Sequence, residues 1–446
     1  MGGQWQQMAY LAAGNGELAL AREAIDLLVE ASGGGPEALY TKGGLLALLG
    51  DWRAADALLR TLPEDVPDPA GNAYSRGTAA LNLGKADEAR RHLEQATLLQ
   101  PQSGVAWLAL SMSADFSREP VLADRLIAAG RGMEGAAPSQ QVPYRYALGK
   151  AHAERGEHAL AFDAFSRGAR QMKSLLAYDR NADRADAANA VDGYSSERIA
   201  AMAGEQREPT GRTIFVVGLP RSGTTLVEQV LTSHSAVSDG AETSRLFLLA
   251  GEVGGQSYPL LARYAAAEGV TSAARLWHHW LDELFPASGR IVDKTVTTSR
   301  FLGLAAALLP EAPLLWITRD PLDRAWSCFR TSFSGSAMPW SYDLADIAFH
   351  FRLEDQLLAQ WREILGERLL TVPYESLVAD PDAWIRRILA HCGLAEEPQV
   401  FAPHENRRPV PTASMMQVRR PIYRDAIGSA EPYRQYLAPF IEAYYG

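Results

Sequence analysis

Gly16, Gly50 and Gly84 stand 34 residues apart. Residues that recur at a fixed period of this length belong to successive copies of one supersecondary unit, stacked side by side. Five residues after each glycine comes an alanine, Ala21, Ala55 and Ala89, and nine after comes a larger apolar residue, Ile25, Leu59 and Leu93. Gly156, Ala161 and Phe165 repeat the pattern after a shift of four residues. Arg118 occupies the place of a fourth strict glycine, so the unit around Val105 to Met133 is either degenerate or no repeat at all. The glycine suits the turn between a helix A and a helix B, and the alanine lets those helices approach closely. The larger residue is expected to fill the groove between neighbouring repeats. Pro67 and Pro101, each 17 residues past its glycine, are placed to end helix B and open the next unit.

The pattern resembles the tetratricopeptide repeat and predicts an all-α solenoid over residues 5–172. Such arrays present a concave groove, here either a seat for a peptide or partner protein or a scaffold packed on the rest of the chain. Residues 173–211 are expected to hold capping helices and then a linker, Gly204 to Gly211.

Composition narrows the remainder. At 446 residues, 47% hydrophobic and 22% charged, the chain is an ordinary globular protein of two or three domains. The formal charge of −10 excludes a generalised polyanion binder, so an anionic ligand must be captured by a local group of cations and backbone NH groups. Two cysteines, Cys328 and Cys392, exclude a disulfide framework and a cysteine-rich zinc site, and point to a reducing, cytoplasmic setting. The first residues lack the basic and apolar blocks of a secretory signal. The longest apolar stretch, Phe301 to Ile317, is broken by Pro310, Glu311 and Pro313, so no membrane span is expected.

The second half opens with Thr213-Ile214-Phe215-Val216-Val217, a run rich in β-branched residues that predicts a buried parallel strand. Gly218-Leu219-Pro220-Arg221-Ser222-Gly223-Thr224-Thr225 follows, and then a helical pattern from Leu226 to Leu231. Strand, glycine-rich turn and helix N-terminus form a cradle for an anion, lined by NH groups and favoured by the helix dipole. A nucleoside triphosphatase loop carries lysine after its second glycine; here Thr224 stands there. The loop therefore suits one phosphate, held by NH groups, hydroxyls and Arg221, better than a triphosphate with magnesium.

Pro220 to Leu226 resembles the 5′-phosphosulfate loop of sulfotransferases that use 3′-phosphoadenylyl sulfate. It is most similar to tyrosylprotein sulfotransferases and to bacterial sulfotransferases with tetratricopeptide repeats. The resemblance implies a P-loop-like α/β domain with a mainly parallel sheet over residues 212–446, and 3′-phosphoadenylyl sulfate as co-substrate. It implies that Arg221, Ser222, Gly223, Thr224 and Thr225 hold the 5′ side of the donor. Leu314 to Ile317 predicts another buried strand, and after it Arg319 and Ser327 match the family's 3′-phosphate site. The guanidinium would give a planar charged fork and the hydroxyl a neutral donor. Tyr374 matches a tyrosine near the adenine nucleotide, and Thr412 to Pro421, with Ser414, Arg419 and Arg420, a C-terminal nucleotide-binding stretch. That stretch departs from the family's pattern: Ile427-Gly428-Ser429-Ala430 lacks a basic residue and Trp, and Arg419, Arg420 or Arg424 is left to supply the cation.

Sulfuryl transfer asks for positioning, charge neutralisation and a proton acceptor. Glu242 matches the family's proposed base, Lys294 the lysine near the transferring group, and Ser414 a serine at the transition state. His234, which follows the first loop, is expected to pack rather than to act as base. His278 and His279 point about 100° apart on a helix and cannot easily share a metal, so no metal is expected. Arg330 to Tyr342 is a candidate substrate lid.

The expected activity is transfer of a sulfuryl group to a hydroxyl, on a protein tyrosine or on another phenol or alcohol, with no nucleic-acid partner. A P-loop kinase and a catalytically inactive, repeat-based binding protein are the alternatives. The missing loop lysine speaks against the first, and the set Arg221, Glu242, Lys294 and Arg319 against the second.

Overall fold

A computed structural model describes residues 2–285, 288–333, 338–406, 408 and 420–446. The segment Gly2–Leu175 is helical, and four of its helix pairs are close antiparallel hairpins: Gly2–Gly14 with Leu18–Ala31, Pro36–Leu48 with Trp52–Leu59, Pro69–Asn82 with Ala86–Leu99, and Pro138–Glu154 with His158–Leu175. The periodic glycines sit at their turns. Gly16, Gly50, Gly84 and Gly156 have φ of 84°, 81°, 72° and 76°, a left-handed conformation that side chains disfavour. Ala21, Ala55, Ala89 and Ala161 are fully buried.

The larger residue does not have the expected partner. A Cβ on Gly77 would lie 2.6 Å from Leu93 Cγ, one on Gly149 2.6 Å from the Phe165 ring, and one on Gly43 3.1 Å from Leu59. Each large side chain of helix B is therefore received by a glycine of helix A in its own hairpin, seven residues before the turn glycine. Ala9 takes this place opposite Ile25 in the first hairpin. The unit around Arg118 is degenerate. Its helices, Gly104–Ser113 and Pro120–Met133, are joined without a left-handed glycine, and the first packs instead along Pro138–Glu154. Pro67 also differs from expectation, because Trp52–Leu59 ends eight residues before it.

After the array, helices Arg180–Val191 and Ser196–Glu205 bury Ala187, Ala190, Ile199 and Met202 against the core of the sheet domain rather than against the solenoid. The sheet has five strands, β1 (Thr213–Val217), β2 (Val237–Ala241), β3 (Arg290–Asp293), β4 (Leu314–Thr318) and β5 (Leu369–Pro373), in the order β2-β3-β1-β4-β5. All its pairings are parallel. β1 is buried at every position, which explains its unbroken apolar run. The chain order reverses around β1, the place where open parallel sheets form a crevice at their carboxyl ends.

The array touches this domain at both ends. In the first hairpin a Cβ on Gly16 would meet the Trp280 ring at 2.7 Å, Glu17 lies 3.0 Å from His279 Nε2, and Ala19 NH donates to Glu283. In the last, Phe162 stacks on Tyr436 at 4.7 Å and on Phe329 at 5.7 Å, and Phe165 meets Trp326 edge-on. Among the described residues, no helix is long and apolar enough to cross a membrane.

Candidate active site

The five strand ends carry the site in spatial order. Glu242 follows β2, Lys294 follows β3, the Gly218–Gly223 loop follows β1, Arg319 follows β4 and Tyr374 follows β5. At about 4.8 Å per strand, these groups form a line about 19 Å long along the carboxyl edge.

The β1 loop owes its path to three left-handed residues: Gly218 at φ 149°, Arg221 at 67° and Gly223 at 105°. Gly223 begins the Thr224–Leu231 helix, and a Cβ there would fall 2.6 Å from the Tyr374 ring. Glycine is required here both by conformation and by contact. Ser222 is fully buried, and its hydroxyl has no partner among the described residues. A glycine-rich loop that opens a helix N-terminus and seals an unbonded hydroxyl is suited to receive an anion.

Beside the loop, Arg221 Nε donates to Ser327 Oγ at 2.9 Å. Arg319 donates to the carbonyl of Arg221 at 2.9 Å and to that of Ala426 at 2.5 Å, and its guanidinium lies 4.9 Å from the centre of the Tyr374 ring. Arg319 Nε is buried and has no partner among the described residues. These groups open on a cleft of about 710 Å³ that Arg221, Arg319, Arg330 and Arg420 line together with Gly223, Thr225, Ser327, Tyr374 and Tyr423. Among the described residues, no carboxylate lines it. Burial pushes the Arg221 guanidinium down to about 10, and the charges of Arg330 and Arg319 push the same way. Burial lowers Arg330 as well, again with a contribution from Arg319. Four cations held this close are a site short of negative charge.

At the other end of the line, Lys294 Nζ donates to Glu242 Oε1 at 2.7 Å and lies 3.8 Å from Glu228 Oε2. Arg408 Nη2 stands 2.7 Å from the same Glu228 oxygen. Lys294 and Glu228 are buried, whereas the Glu242 side chain is 44% exposed. Burial raises the Glu228 carboxyl, opposed by Lys294 and Arg408. Burial also raises Asp293, opposed by hydrogen bonds from Thr243 and Thr295. The result is an ammonium on a sealed ionic base, with one accessible carboxylate beside it. Such a pair can present a cation and a proton acceptor to the same bound group.

The residues singled out in the sequence thus separate into positions. Arg221, Gly223, Thr225, Arg319, Ser327, Tyr374 and Arg420 line the cleft, whereas Ser222 and Thr224 are buried behind it. Glu242 and Lys294 pair at the adjacent strand ends and line neither this cleft nor the cavity beside Pro220. Ser414 and Arg419 lie outside the described residues. Arg424 donates to the Val378 and Ala379 carbonyls and is not part of the cleft lining. The Gly428 segment, which departs from the family pattern, is used structurally: the NH groups of Gly428 and Ala430 donate to Asp323 at 2.7 and 2.8 Å. His234 has both ring nitrogens engaged, with the Ala395 carbonyl and the Ala236 NH. His278 and His279 turn to Pro209 and to Glu17.

Sequence reasoning missed Glu228, Arg408 and Tyr423 as members of this region, and named Arg330 only as the start of a candidate lid. Glu228 alone carried a signal, as an acid in a helix of otherwise mostly apolar and small side chains.

Residues 213–398 match the model of a family described as the sulfotransferase family. An uncharacterized protein of Aquifex aeolicus (strain VF5) is 25% identical over 424 residues, 91% of this chain and 54% of that protein. The protein-tyrosine sulfotransferase of Drosophila melanogaster is 28% identical over 187 residues, 40% of this chain and 37% of that protein. The chain therefore spans about half of one curated relative and little more than a third of the other. Among solved structures, sulfotransferase STF9 from Mycobacterium avium matches with 16% identity and a TM-score of 0.33, over 72% of this chain and 95% of that one.

Proposed function

We propose that this chain, whose residues 213–398 match the sulfotransferase family model, moves a sulfuryl group from 3′-phosphoadenylyl sulfate to a hydroxyl acceptor. The observation that carries the reading is the cleft at the carboxyl edge of the sheet, which among the described residues is lined by four arginines and Ser327 and by no carboxylate. A nucleotide with phosphates on both its 3′ and 5′ oxygens offers two separated anions. The β1 loop with Arg221 would take one, and Arg319 with Ser327, whose hydroxyl accepts from Arg221, would take the other. Tyr374, beside Gly223 and under Arg319, would face the nucleotide. Arg330 and Arg420 add charge to the lining, Arg420 taking the part expected of the C-terminal cluster; Arg419 and Ser414 keep their expected roles as part of the same proposal.

When bound, the donor supplies the activated sulfuryl group. The chain's own residues do the rest. Glu242 takes the proton of the acceptor hydroxyl as that oxygen bonds to sulfur, and Lys294 donates a hydrogen bond to the departing phosphate oxygen. The buried Glu228 fixes the Lys294 ammonium from behind. The acceptor is a protein tyrosine or another phenol or alcohol, and the groove of the repeat array would hold a protein acceptor.

The test is a transfer assay with labelled donor over phenols, sugars and tyrosine peptides, beside thermal melting with adenosine 3′,5′-bisphosphate. Transfer is expected, with a rise in melting temperature of several degrees. A nucleotide that leaves the melting temperature unmoved would overturn the donor reading.

A further inference from the structure

The loop that carries Arg221 has a second cavity at its shoulder. Leu219 and Pro220 form one wall of a space of about 910 Å³. Val296 and Thr297, two and three residues beyond Lys294, form another. Met338, Pro339 and Trp340 close a third side, and Trp340 stacks flat on His350 at 4.4 Å. These come from the segment whose sequence suggested a lid. The fourth side belongs to the helix that joins the array to the sheet domain, through Asp179, Asp183 and Asp186.

The charge of this space is the reverse of the arginine cleft. Among the described residues, Asp179, Asp183, Asp186 and Glu354 line it against the single guanidinium of Arg300. That guanidinium is already shared, with Glu354 at 2.8 Å, Asp183 at 3.1 Å and Asp186 at 3.7 Å. Burial raises the Asp183 carboxyl, but the His350 hydrogen bond and the charges of His350 and Arg300 outweigh it and hold the group below its usual range. Asp179 and Asp186 stand exposed at the mouth. A donor rich in negative charge is repelled from this space and drawn to the arginines. A cation is repelled by the arginines and drawn here. One loop separates the two fields, so charge alone sorts two ligands to its two sides.

We propose that this cavity receives the body of the acceptor, a phenol or alcohol bearing a cationic group that Asp179 and Asp186 hold while its ring or stem lies against Trp340 and Pro220, and that its hydroxyl extends past Val296 and Thr297 toward Lys294 and Glu242, which stand outside the cavity lining. The proposal rests on the sulfuryl-transfer reading for the fate of the hydroxyl, but not for the binding itself. The chemistry fits a free amine such as tyramine and a tyrosine flanked by lysine in a peptide.

The experiment measures binding to the full chain by calorimetry without donor, for tyramine, for neutral 4-ethylphenol and for anionic 3-(4-hydroxyphenyl)propanoate. Tyramine is expected to bind about tenfold more tightly than 4-ethylphenol, with the propanoate weakest. Asp179→Asn, which keeps the helix cap, combined with Asp186→Asn is expected to bring tyramine down to the level of 4-ethylphenol while adenosine 3′,5′-bisphosphate binds as before. High salt weakens tyramine and not 4-ethylphenol. Equal affinities, preference for the propanoate, or a double variant with unchanged tyramine binding overturns the proposal. A lysine-flanked tyrosine peptide in parallel identifies the source: tighter binding than tyramine marks a protein acceptor, weaker binding a small amine. Loss of nucleotide stabilisation with tyramine binding intact would strike the donor reading alone.

Discussion

Lys294 Nζ lies between an exposed carboxylate and a sealed one, 2.7 Å from Glu242 and 3.8 Å from Glu228. The ammonium fixes the accessible carboxylate at the end of β2 without covering it, which is what a proton acceptor for an incoming hydroxyl requires.

Glu242→Gln keeps the hydrogen bond from Lys294 and removes the negative charge. Transfer is expected to fall by about 10²–10⁴ in kcat, with the melting-temperature rise caused by adenosine 3′,5′-bisphosphate retained. A variant that turns over at the parent rate would strip Glu242 of the base role.

Gly223→Ala tests the loop. It places a side chain at φ 105° and 2.6 Å from the Tyr374 ring. The strained residue alone costs about 1–3 kcal/mol, and displacing Tyr374 opens the wall of the cleft. Denaturant melts should show the loss of stability, and titration with adenosine 3′,5′-bisphosphate should show affinity lowered more than tenfold. Tyr374→Ala in the same background should recover part of the stability and none of the affinity.

The last hairpin of the array is predicted to support the donor cleft. Phe162 stacks on Tyr436 and Phe329, and it faces Trp326, the residue before Ser327. Phe162→Ala removes a half-buried ring, costing about 2 kcal/mol, and should weaken nucleotide binding severalfold. Leu98→Ala, an exposed site elsewhere in the array, should leave both unchanged. Unaltered nucleotide affinity in Phe162→Ala would show that the array's packing does not reach the cleft.

The two thiols report on integrity. Burial pushes Cys328 and Cys392 up to about 12, and Cys328 sits behind the loop with its Sγ donating to the Pro220 carbonyl. At pH 8 only about one thiol in 10⁴ is ionised, so neither should react with a thiol reagent until the chain unfolds. Adenosine 3′,5′-bisphosphate should slow labelling further by stabilising the folded state. Rapid labelling of the native chain would contradict this placement.

The sequence carried the fold where burial or geometry leaves a mark at short range. β1 and β4 are sealed within the sheet, so Thr213–Val217 and Leu314–Ile317 read as unbroken apolar runs. The turn glycines repeat because no other residue takes their backbone at so little cost. β2 was unreadable, since Val-Ser-Asp-Gly-Ala has little strand preference and carries a register shift. The small residue that receives each large side chain was hidden because it is alanine in the first hairpin and glycine in the other three. Arg221, Arg319 and Ser327 were legible through the motifs flanking β1 and β4. Arg408 was not, because no spacing links its segment to the site; Tyr423 was passed over between Arg420 and Arg424, and Glu228 acquires its meaning only from the lysine and arginine that surround it.

The array's two feet on one domain set a condition on how such a chain can change. Solenoids ordinarily gain or lose repeats at little cost, because an added unit merely lengthens a free end. Here the end at Gly16 must meet Trp280 and the end at Phe162 must meet Tyr436. One unit more or fewer would lift one foot off its seat. Repeat number is therefore fixed by a span, as the length of an arch is fixed by its abutments, and adaptation in this half of the protein is confined to replacing residues within a constant count.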